Sequence, residues 1–111
     1  MSYKIIELRS VVYANIRTEV MYEVASAHAA GVELLRINIK KDDAAGYKRA
    51  TTALLKCLRS LKSSGMIQFF ATAESFNTGS TEAQFLINKY PEQFELTPIE
   101  SDECGFVYVR T

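Results

Sequence analysis

Apolar residues recur along this chain with two alternating periods. Ile5, Ile6 and Leu8 mark a short extended run over 4–9, after which Tyr13, Ile16, Val20, Val24 and Ala27 fall three or four positions apart, the spacing that lines one face of a helix. A first helix over 13–30 follows, with Ser10 or Asn15 as candidate caps and Gly31 available to close it in left-handed backbone. Residues 32–39 are rich in branched side chains, and Leu35, Ile37 and Ile39 share one face of a strand. The helical period then returns: Ala50, Ala53, Leu54, Cys57, Leu58 and Leu61 form one stripe of a helix over 44–63. Gly65 closes that helix as Gly31 closes the first, and 66–71, with Ile67, Phe69 and Phe70, reads as a third strand.

Beyond this point the pattern weakens. Residues 76–80 read as a loop, Thr81 and Gln84 as a reciprocal capping box for a shorter third helix, and Pro91 as its stop after Tyr90. Residues 92–98 fit a short strand or coil equally well. Over 105–110 the alternation is clear, with Phe106 and Tyr108 on one face and Val107 and Val109 on the other. Strand, helix, glycine, strand, repeated, implies parallel neighbours joined by right-handed crossovers. The expected fold is a single α/β domain over 1–111: a two-layer sandwich in βαβαβαβ order, its four-stranded sheet mostly parallel with the last strand antiparallel. Its expected core is Ile6, Leu8, Ile16, Val20, Val24, Leu35, Ile37, Leu54, Leu58, Leu61, Ile67, Phe69, Leu86, Val107 and Val109.

Composition supports one folded domain, with 48% hydrophobic residues in 111. No signal-peptide core or membrane-length apolar run occurs, which places the chain in the cytoplasm as an expectation, without a membrane partner. Cys57 and Cys104 lack metal-ligand spacing and are expected as reduced thiols rather than a disulfide.

Net charge is zero, but its distribution is uneven. Lys40, Lys41, Lys48, Arg49, Lys56, Arg59 and Lys62 stand against Asp42 and Asp43, whereas Glu74, Glu82, Glu92, Glu95, Glu100, Asp102 and Glu103 stand against Lys89. Arg49, Lys56 and Arg59, at i, i+7 and i+10, share one face of the second helix, and Lys48 and Lys62 widen it, opposite the Ala50–Leu61 stripe. Such a face can track a phosphate backbone, or it can be an ordinary solvated surface with Tyr47 its one adjacent aromatic.

Catalytic chemistry has little to draw on. His28, the only histidine, falls near the end of the first helix, where the dipole stabilises it. No metal-ligand spacing, dinucleotide fingerprint or Walker-type loop occurs, and no cofactor is expected. Glu7, Asp42 and Asp43 could form a carboxylate-only Mg²⁺ site, but Asp42-Asp43 is better explained as capping the second helix.

The order of these pieces resembles the small MutS-related (Smr) domain family, in particular its stand-alone bacterial forms. The resemblance runs from Ile5-Ile6-Glu7-Leu8-Arg9-Ser10 to Gly105-Phe106-Val107-Tyr108-Val109. It includes Ala30-Gly31-Val32, Leu34-Leu35-Arg36-Ile37, and the helix that feeds Met66-Ile67-Gln68-Phe69-Phe70. Family members carry Leu-Asp-Leu-His-Gly at the first strand and His-Gly-x-Gly after the second, where this chain has Ile6-Glu7-Leu8-Arg9-Ser10 and Asn38-Ile39-Lys40-Lys41-Asp42-Asp43. What the resemblance implies is a scaffold that has lost the family's nuclease histidines and glycines and binds something; the basic face of the second helix makes nucleic acid, RNA ahead of DNA, the leading expectation for its ligand, held through Lys48, Arg49, Lys56, Arg59 and Lys62. Two alternatives stand beside it: a protein-interaction module, including a homo-oligomer held by charge complementarity, and a weak metal-dependent nuclease.

Overall fold

A computed structural model of the chain describes residues 3–8, 13–41, 43–96 and 104–111. In chain order its elements are β1 (Tyr3–Glu7), α1 (Tyr13–Ala29), β2 (Leu34–Lys40), α2 (Ala44–Ser63), β3 (Phe69–Thr72), α3 (Ala73–Thr78), α4 (Thr81–Lys89), α5 (Pro91–Leu96) and β4 (Cys104–Arg110). Gly31 and Gly65 have φ of 71° and 80°, so both long helices end in the left-handed residue that their sequence implied. The Val32 amide then donates to Ala27 O at 2.9 Å and the Met66 amide to Leu61 O at 2.9 Å, which satisfies carbonyls orphaned in each last turn.

The four strands form one sheet in the order β1-β2-β4-β3. β1 and β2 are parallel, with Ile6 beside Ile37. β4 runs antiparallel to β2, with Val107 beside Ile37, and antiparallel to β3, with Tyr108 beside Ala71. The last strand is therefore antiparallel, as expected, but it inserts between β2 and β3 and so separates two strands expected as neighbours.

Helices cover both faces, and this corrects the two-layer expectation. On one face α1 and α2 bury Ile16, Val20, Val24, Leu54, Leu58 and Leu61 against Ile6, Leu35, Ile37, Val107 and Val109. On the other, Leu34, Ala71, Phe106 and Tyr108 pack with Leu86, Tyr90, Phe76 and Phe94 from the α3–α5 segment. The physical reason lies in β4, whose Phe106 and Tyr108 present too much apolar area to be left in water.

One expected helix after β3 is in fact three short ones. Thr72 and Ser75 form a reciprocal capping box that starts α3 ahead of 76–80, so the helix runs into the region read as loop, and Gly79, at φ 66°, ends it. The cap of α4 is Ser80, whose hydroxyl accepts from the Ala83 amide at 3.2 Å, one residue before the expected Thr81. Pro91 does follow the end of α4, but it also opens α5, since a first-turn proline lacks only a donor that would be orphaned anyway. The third strand starts later than expected, because Ile67 turns into the core and the ladder opens with the Gln68 amide on Arg110 O at 2.9 Å.

Candidate nucleic-acid interface

α2 begins at Asp43, whose carboxylate accepts from the Ala45 amide at 3.2 Å. The cap is tight: a Cβ on Gly46 would fall 2.8 Å from Asp43 Oδ2, so the glycine gives the carboxylate its place. From there Ala50, Ala53, Leu54, Cys57, Leu58 and Leu61 are buried along one side of the helix, the stripe read from the sequence. Opposite it, Lys48, Arg49, Lys56, Arg59 and Lys62 are all exposed. The helix contains no acidic residue to pair with them, and among the described residues the ion pairs join Lys4 to Glu23 and both Lys89 and Arg110 to Glu33, none of them involving α2. The result is an unneutralised basic face about 20 Å long at 1.5 Å per residue.

Tyr47 does not serve this face as a free aromatic. It is half-buried against the core, and its ring lies over Gly105 so closely that a Cβ there would come within 2.8 Å of Tyr47 Cε1. Lys41 Nζ lies 5.6 Å from the same ring.

A second polar feature, missed in the sequence, is Arg36. It is 6% exposed, and its Nε donates to Asn38 Oδ1 and its Nη1 to Tyr108 Oη, both at 2.8 Å. The guanidinium stacks 4.8 Å from the Phe106 centroid and 5.4 Å from that of Tyr108. Phe76 and Phe94 complete the cluster, with centroids 5.5 and 5.0 Å from Tyr108. Burial pushes the Tyr108 phenol up to about 12, against the opposing pull of the Arg36 charge. A signal was present: Leu34, Arg36 and Asn38 alternate onto the face that Phe106 and Tyr108 share, a face the two-layer reading left to solvent.

The remaining candidates take structural roles. His28 Nε2 donates to Met66 O at 2.5 Å, which ties the end of α1 to the turn after α2. This role is more specific than the dipole interaction expected. Cys57 is a buried free thiol, its pKa raised by burial and partly lowered again by Arg17; the Cys104 side chain lies outside those described. Asp42 also lies outside the described residues, and among those described no three His, Cys, Asp or Glu side chains come together as metal ligands. No described helix is long and apolar enough to cross a membrane. Against known proteins, the chain matches no protein-family model, no curated protein and no solved structure.

Proposed function

We propose that this domain binds nucleic acid, RNA ahead of DNA, through the outer face of α2, as a cytoplasmic, Smr-like scaffold without catalysis of its own. The observation that carries this reading is the basic face itself: five exposed cations on a rigid helix with no acid in it. Each phosphate that such a face neutralises releases condensed counterions, so the free energy of binding is largely electrostatic and independent of base sequence. The resemblance to the Smr family supports a nucleic-acid ligand, and Arg9-Ser10 and Lys40-Lys41, where the family has its histidines and glycines, support binding without cleavage even though Glu7 keeps an acid at the first strand.

Fluorescence anisotropy with labelled single-stranded RNA and DNA across a salt series tests this. Wild-type protein is expected to bind weakly at low salt and to lose affinity steeply as salt rises. Arg49, Lys56 and Arg59 changed together to Glu should abolish binding while barely moving the thermal midpoint, because exposed charges add little to stability. A triple variant that binds as well as wild type removes the reading. Wild-type protein that ignores both nucleic acids at low salt transfers the face to an acidic protein partner, and cleavage of either strand with Mg²⁺ would promote the nuclease alternative.

A further inference from the structure

We propose that the nucleic acid bound by this domain is single-stranded and crosses from α2 onto α1, where Arg17 contacts its backbone and Tyr22 stacks a base. This path presupposes that α2 binds nucleic acid; it adds a second helix to the interface and a choice of ligand class.

The packing of α1 decides what it can offer. Ile16, Val20, Val24 and Ala27 are buried beneath the helix, which leaves it two flanks and an outer face. Glu19 and Glu23, its only acids, occupy one flank: both line the groove beside β1, and Glu23 takes Lys4 at 3.5 Å. The other flank faces α2. From it His28 reaches Met66 O, and Arg17 lies close enough to Cys57 for its charge to oppose the rise in pKa that burial gives the thiol. Arg17 is itself exposed, and none of the ion pairs found among the described residues engages it. Lys56 precedes Cys57 on α2 and is exposed as well. The two cations therefore flank the seam between the helices, and the basic face continues across it with no acid of either helix in between.

Tyr22 selects the ligand. At 69% exposed it is the most open large apolar side chain among the described residues, and it takes no part in the ring or cation contacts found there. It follows Arg17 by five residues, about 7.5 Å along the axis and about 140° round it, which sets its ring on the outer face. Thr18 and Met21, both exposed and uncharged, lie between them. Cations that track a backbone beside an open aromatic ring suit a single strand, whose bases have free faces to stack. In a duplex those faces are already stacked on one another, and duplex RNA is recognised by shape and by 2′-hydroxyls across its minor groove, to which Tyr22 adds nothing.

The chain has no tryptophan, so Tyr22→Trp places a single reporter at the stacking position. Its emission is expected to be quenched as oligouridine is added at low salt, and to stay unchanged when the same strand is presented as a duplex with oligoadenosine. Fluorescence anisotropy on labelled oligouridine supplies the affinities. Tyr22→Ala should weaken binding about 5- to 150-fold, the loss of one stacked base. Arg17→Ala should flatten the plot of log affinity against log salt by about 0.7, the share of one single-strand phosphate. Both side chains are exposed, so the circular dichroism spectra should match wild type. Binding that Arg49→Glu, Lys56→Glu and Arg59→Glu together abolish, but that Tyr22→Ala and Arg17→Ala leave at full strength, overturns the path across α1 and leaves the reading of α2 standing. Quenching by the duplex as strong as by the single strand overturns the path in the same way. Wild-type protein that binds neither form overturns both.

Discussion

Tyr108 concentrates three interactions at one residue: a hydroxyl that accepts from Arg36, a ring that carries part of the guanidinium, and ring contacts, edge-on to Phe76 and tilted to Phe94. Deleting the hydroxyl alone separates them. Tyr108→Phe keeps the ring but removes the acceptor of a buried charged donor, and it is expected to cost about 1–3 kcal/mol in urea unfolding. A shift indistinguishable from zero would mean that Arg36 finds an equal partner elsewhere. The phenol also sets an alkaline limit. Its folded pKa of about 12 lies above the ordinary 10, so the folded state retains a proton that the unfolded chain releases. Its contribution is complete below about pH 10 and is lost as pH rises toward 12. The urea midpoint should fall over that window in wild type and less steeply in Tyr108→Phe.

At the scale of an element, α2 shows how cleanly a helical period separates two jobs. Leu58 is fully buried and Lys62, one turn on, is exposed. Leu58→Ala should therefore cost about 2–5 kcal/mol as a cavity, while Lys62→Ala should stay within about 0.5 kcal/mol. Equal midpoint shifts would invert the assignment of faces. The helix was legible because its apolar stripe, Ala50 to Leu61, is continuous over about three turns and its ends are marked by Asp43 and Gly65. The α3–α5 segment was not, because helices of six to nine residues hold too little period to read, and the hydroxyls that start α3 and α4, Thr72 with Ser75 and then Ser80, are a few among many candidates. Phe69, expected in the core, is only half-buried because it sits on the outer strand β3, edge-on to the exposed Phe85 with centroids 5.6 Å apart.

Across the whole molecule, the order β1-β2-β4-β3 makes β2 and β4 the shared centre of two cores. Each is buried on both faces: Leu35 and Ile37 against α1 and α2, Leu34 against the aromatic side, with Val107 and Val109 opposed to Phe106 and Tyr108 in the same way. The sequence carried this in part, since strands covered on both faces read as nearly unbroken apolar runs: 105–109 is such a run, whereas 34–39 is broken by Arg36 and Asn38 and reads as one-sided. The second layer and the partners of β4 were hidden, because layer and strand order depend on long-range pairing that no local period encodes. The arrangement predicts a gradient of protection. Opening either helical layer leaves β2 and β4 paired and covered on the other side, so their amides can exchange only when both cores are lost, at the global unfolding free energy. Native-state hydrogen exchange should therefore find Ile37 and Tyr108 among the slowest amides, with those of the short helices α3 and α5 exchanging through smaller openings. If α3 and α5 instead exchange as slowly as Ile37, and with the same dependence on denaturant, the two layers unfold together and the aromatic side is as integral to the fold as the side built by α1 and α2.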